Sequence, residues 1–192
     1  MKDKRELIIE AAAEVLVKEN YQTMKTAKLA DMAGVAEGTL YRYFKNKQEI
    51  FISVIDHLGR EMLNNFFINV SKENTLIENI ECIRINIKNI LSDNKFKTII
   101  YGKAFSEIDN EEVKLIMRDI MENGMEKIKT IFIWAKEKEE IVISEEEINV
   151  MSISFWGIGE FYIKRSIAGV KIAEGEIENV INFLYRALKN NN

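Results

Sequence analysis

The sequence contains no proline, one cysteine, one histidine and only nine glycines among 192 residues. Each scarcity excludes something. Without proline, only glycines and short polar clusters interrupt a helix, so long helices are expected. The single Cys82 forms no internal disulfide and is expected as a small buried apolar residue in a reducing cytoplasm. One histidine beside one cysteine leaves too little for a metal site or a nucleophilic dyad. The chain also lacks a G-x-S-x-G elbow, a phosphate-binding loop and H-E-x-x-H, and no βαβ pattern surrounds Gly157 and Gly159. Neither an enzyme nor a metal or other cofactor is expected. No run of eighteen apolar residues offers a membrane span, and Met-Lys-Asp-Lys-Arg-Glu at the start does not read as a signal peptide, so a cytoplasmic location with no membrane partner is expected.

What is present is apolar and periodic. Apolar residues make up 47% of the chain, enough for a sizeable core. The spacing predicts an all-α fold of about nine helices. The first covers 3–19, with Leu7, Ile8, Ala11, Ala12, Val15 and Leu16 on one face. A fourth runs from Asn46 to about Val70, and others cover about 75–91, 95–107 and 111–137. Ser144 and Glu147 form a capping box that opens an eighth helix ending near Ile167. Glycines at 169 and 175 precede a ninth, and Asn190 to Asn192 are expected to fray.

Residues 26–47 carry the most information. Leu29, Ala30 and Ala33 share a helical face, Thr26 stands where an N-cap belongs, and Gly34 suits the left-handed turn after a helix. A second helix follows from about residue 37, with Leu40 and Phe44 inward and Thr39, Tyr41, Arg42 and Tyr43 on the remaining surface. Helix, glycine turn and helix, with short polar groups and phenols left over, point to major-groove binding and to a transcription regulator. Lys47 is a cation at a capped helix start, an unfavourable place that a DNA phosphate would relieve. One of the two tyrosines has an alternative place in the core of the head. Glu37 reads either as a solvated first-turn acid or as an acceptor for a cytosine amino group.

The stretch Ala33-Gly-Val-Ala-Glu-Gly-Thr-Leu-Tyr-Arg-Tyr-Phe-Lys-Asn-Lys resembles the DNA-binding head of the TetR family of one-component repressors, and residues 4–51 follow that pattern. The resemblance implies a three-helix head over 1–46 and a helical effector-binding and dimerisation body over 47–192. It implies DNA contacts at Thr26, Gly38, Thr39, Tyr41, Tyr43 and Lys47, with Lys28 and Arg42 as further candidates. It also implies a homodimer paired through its last two helices on a roughly palindromic double-stranded operator. Ala36 departs from the pattern, because a serine often caps the recognition helix there.

The net charge of −4 at first opposes a nucleic-acid partner, but residues 1–50 carry +1 and the remainder −5. Binding is therefore expected to use a few placed cations rather than a broad basic field. In the body, Tyr101, Phe105, Met117, Met121, Trp134, Phe155, Trp156 and Glu160 are candidates for a small-molecule effector site, or else ordinary core. Glu160 is expected to face a cationic ligand, to pair with Lys164 four residues on, or to bond across a dimer. Lone His57 reads as a rim residue. Stripes at Ile148, Met151, Phe155, Gly159 and Tyr162 and at Ile177, Val180, Ile181, Leu184 and Leu188 are expected either to associate two subunits or to bury within one. The sequence thus favours a ligand-released repressor, with a DNA-bound architectural or adaptor protein that answers to a protein partner as the alternative.

Overall fold

The computed structural model describes residues 3–93 and 95–189, the side chains at 93, 95–97, 187 and 189 excepted. Among the described residues there are nine helices and no strand: α1 Lys4–Lys18, α2 Thr26–Met32, α3 Glu37–Tyr43, α4 Lys47–Phe66, α5 Leu76–Asp93, α6 Lys95–Ser106, α7 Glu111–Glu137, α8 Glu145–Ile167 and α9 Glu176–Lys189. The all-α reading is therefore correct. Asn190 to Asn192, expected to fray, lie outside the described residues. The chain divides into two compact units, Met1–Glu61 with Phe96–Arg118, and Met62–Lys95 with Asp119–Asn192.

The first unit is built on α1. Ile8, Ala12 and Leu16 recur every four residues and are fully buried, each large side chain contributing about 1.5–3 kcal/mol on burial. α2 and α3 pack on each other through Leu29, Ala30, Leu40 and Phe44. Gly34 takes φ 66°. Its amide donates to Asp31 O and that of Val35 to Ala30 O at 3.0 Å, closing α2. Ala36 is the N-cap of α3 and makes no side-chain bond, so packing rather than a cap holds this turn. α4 starts where Asn46 Oδ1 accepts from the Glu49 amide at 2.8 Å, while the Glu49 carboxylate accepts from the Lys45 amide. On α4, Phe51 stacks on Tyr21 with ring centroids 4.7 Å apart.

In the second unit the expected capping box is present: Ser144 Oγ accepts from the Glu147 amide and Glu147 from the Ser144 amide. α4 ends at Phe66, earlier than expected. Asn69 has φ 64° and the buried Asn86 side chain donates to the carbonyls of Phe66 and Ile68 at 3.1 and 2.9 Å. Those bonds satisfy main-chain groups that another helical turn would otherwise have used. Cys82 is half-buried rather than buried, with Sγ 3.6 Å from the Asn69 carbonyl.

The proposed association stripe of α8 lies largely inside its own unit. Ile148, Phe155, Gly159 and Tyr162 are buried and Met151 is half-buried, as α5 packs against both α8 and α9. Ile181 and Leu188 of α9 are buried too, with Leu184 half-buried. A helical period identifies an apolar face but not what covers it. Among the described residues, the large apolar side chains left exposed are Val150, Ile153, Phe161 and Ile167 on α8 and Phe183 on α9, the last 66% exposed.

Candidate functional site

The head presents its polar groups around α3. Tyr41 is 53% exposed and Tyr43 37%, so neither phenol is core. Gly38 and Arg42 are exposed and Thr39 is half-buried beside them on the same short helix. Gly38 has open space where a Cβ would stand, so its absence of a side chain leaves the helix surface low there.

Several of the expected DNA-contacting side chains are already engaged. Thr26 is not an N-cap: Lys25 holds that position without a side-chain bond, and Thr26 is the first residue of α2. Its hydroxyl donates instead to Glu37 Oε1 at 2.6 Å, and the Tyr41 hydroxyl donates to Thr26 Oγ1 at 3.5 Å. Lys28 Nζ lies 2.8 Å from Glu19 Oε1. That hydrogen bond, with added attraction from Lys28 and Lys25, holds the Glu19 carboxyl below its ordinary range. Lys47 is half-buried and donates to the Gln22 carbonyl at 3.4 Å. These bonds bring the loop before α2, the start of α3 and the start of α4 onto one surface carrying Thr26, Tyr41 and Lys47.

Residues 8–54 match the family described as bacterial regulatory proteins, tetR family. The same head region is 51% identical over 47 residues to the fatty acid metabolism regulator protein of Bacillus subtilis, covering 24% of each chain. The likeness to the TetR family is carried by this head. A nucleoid occlusion factor SlmA from Haemophilus ducreyi is 28% identical over 117 residues, 60% of this chain and 57% of that one. The chain thus spans about a quarter and rather over half of the lengths of these two curated relatives. A TetR transcription regulator from Haloarcula marismortui superposes with a TM-score of 0.81 over 99% of this chain and 98% of that one at 12% identity. The fatty acid degradation regulator FadR from Bacillus halodurans does so with 0.69 over 98% and 95% at 18% identity. At those identities the likeness is one of fold. The head thus matches that of tetR-family regulatory proteins, and the whole chain shares their fold.

The residues expected to line an effector site are distributed over both units. Tyr101, Phe105 and Met117 belong to the first, where Tyr101 and Phe105 meet edge to face at 5.3 Å. Met121, Trp134, Phe155, Trp156 and Glu160 belong to the second. There Phe155 packs edge to face on Phe132 and Trp156 lies 5.9 Å from Phe66. Gly124 of α7 makes room for Trp156: a Cβ at Gly124 would lie 2.1 Å from the indole. Trp156 Nε1 is buried with no hydrogen-bond partner among the described residues. Met121 and Trp134 are half-buried. Glu160 is 8% exposed and its carboxylate lies 3.8 Å from Lys164 Nζ, the i+4 pairing expected of it. An open cleft of about 970 Å³ lies elsewhere in this unit, between Arg84, Lys88 and Leu91 of α5 and Lys171, Ile172 and Ile177, and none of the expected effector residues lines it.

Sequence reasoning missed Lys103, whose ammonium donates to the carbonyls of Leu16 and Glu19 at 2.6 and 2.9 Å. Burial pushes its pKa down. The available signal was a lone lysine between Tyr101, Ala104 and Phe105.

Proposed function

We propose that the protein is a homodimeric repressor that sits on a roughly palindromic operator and is released by a small lipophilic ligand. The observation that carries the DNA part is the surface of α3 on which Tyr41, Tyr43 and Arg42 are exposed and Thr39 half-buried, with Thr26 and Lys47 bonded in beside it. In this reading 1–46 act as the reading head and 47–192 as the sensing and pairing body. Tyr41, Tyr43, Lys28 and Lys47 hold backbone phosphates, while Gly38, Thr39 and Arg42 approach base edges. Two-fold pairing uses the exposed Val150, Ile153, Phe161 and Phe183 rather than the buried stripes.

The effector site is assigned to the aromatic cluster around Trp156. A buried donor without an acceptor costs about 1–3 kcal/mol, and a ligand bringing a polar atom to Nε1 would remove that cost. Two similar proteins named as regulators of fatty acid metabolism or degradation favour an acyl-like ligand. Because Glu160 has Lys164 at hand, no cation is required of the ligand. The likeness to a nucleoid occlusion factor over 60% of the chain favours a second reading, in which the body answers to a protein.

Selection of a randomised duplex pool on the full-length protein tests the first reading. The expected product is a site with two half-sites about one helical turn apart, released by a fatty acid or its thioester. Enrichment of no duplex would defeat the DNA reading. A selected duplex indifferent to every lipophilic compound would move the body to the protein-partner reading.

A further inference from the structure

In the free head two hydroxyls run towards one carboxylate. Tyr41 donates to Thr26 and Thr26 donates to Glu37, over 3.5 and 2.6 Å. Glu37 is exposed at the first turn of α3, on the helix whose surface the DNA-binding reading gives to the duplex. A phosphate oxygen is an acceptor and an anion. To receive the Thr26 proton it must turn that proton away from Glu37, and it must do so beside a like charge. A carboxylate accepts only, so Glu37 stays hydrogen-bonded when another donor takes the place of Thr26. At the start of a helix in the major groove, the donor that suits a glutamate is the N4 amino group of cytosine.

We propose that Glu37 is a specificity-determining residue: it withholds the Thr26 and Tyr41 hydroxyls from the backbone of arbitrary duplex and releases them where a cytosine amino group engages its carboxylate. The inference rests on the DNA-binding reading above. It assigns Glu37 two linked effects, a penalty on nonspecific binding and a preference at one C·G pair.

The test uses full-length wild type, Glu37→Gln and Glu37→Ala, with the selected duplex, its single-base-pair variants and a shuffled duplex of equal length. Glutamine keeps the size and an acceptor oxygen while removing the charge. Removing that charge is expected to tighten the shuffled duplex about threefold or more at low salt. Discrimination at one C·G pair is expected to fall about tenfold in Glu37→Ala and less in Glu37→Gln, whose amide oxygen still accepts, with other positions unchanged. In a Thr26→Val background the gain on shuffled duplex should shrink, since the withheld hydroxyl is gone. Equal weakening on all duplexes in both variants would reduce Glu37 to a brace for Thr26 and overturn the proposal, as would binding indifferent to both substitutions. Failure of wild type to bind any duplex defeats the DNA reading itself, and this inference with it.

Discussion

Lys103 of α6 donates to the main-chain carbonyl of Leu16 at 2.6 Å, and to that of Glu19 at 2.9 Å. Both acceptors lie at the C-terminal end of α1, where carbonyls have no partner within the helix and a cation is favoured. One side chain thus ties α6 to the first helix of the head within the same unit. Lys103→Met should cost about 1–2 kcal/mol of stability near neutral pH, from two carbonyls losing their donor. Burial lowers the folded-state pKa of Lys103. Between that value and the ordinary lysine value the unfolded chain holds more protons, so wild-type stability rises with pH across this alkaline window. Urea midpoints measured on both proteins from neutral to alkaline pH check the cost and the slope, which the variant should lack.

Gly124→Ala should destabilise the second unit by about 1–3 kcal/mol through overpacking, because the new Cβ would meet the Trp156 ring. Indole emission should shift as the ring is displaced. The double variant with Trp156→Leu should recover part of the loss. Additive losses in chemical denaturation would show that the ring already has room to move.

Lys47→Ala should weaken specific and shuffled duplexes alike and reduce the slope of log affinity against log salt by about one, as one phosphate contact is lost. Lys47 meets the Gln22 carbonyl at 3.4 Å, a long bond that a phosphate oxygen would readily outcompete. Selective loss at one base pair in a fluorescence-anisotropy titration would assign Lys47 to base reading instead.

Phe183→Lys should dissociate the proposed dimer with little effect on subunit stability, since this side chain is 66% exposed. Leu184→Lys, by contrast, should unfold as well as dissociate, because Leu184 is half-buried in its own unit. Sedimentation velocity beside thermal melting separates the two, and an intact Phe183→Lys dimer would move the interface elsewhere.

Glu176 joins α9 to the end of α8 by accepting from Arg165, from the Ala173 amide and from the Tyr162 hydroxyl. The Arg165 bond, before the others, holds its carboxyl below the usual range. Its contribution is therefore complete above the ordinary glutamate value and is lost as pH falls through the lowered one. Melting curves taken between about pH 5 and 3 should lose stability more steeply in wild type than in Glu176→Gln, and parallel curves would refute the link.

Much of this molecule was legible without coordinates, for local reasons. Absence of proline and the 3.6-residue recurrence of apolar side chains specify helices, Gly34 suits the turn it makes at φ 66°, and Ser144 with Glu147 caps α8 as their spacing predicted. Such features involve neighbours within four residues, so the sequence contains both partners. Tertiary structure alone decided the rest. It turned Thr26 from an expected cap into a donor to Glu37, covered the stripe of α8 with α5 and left Val150, Ile153 and Phe161 outside, and brought Lys103 to the end of α1. Each of these depends on which element lies across from which, and a contact between residues far apart in the chain leaves no periodic trace at either end.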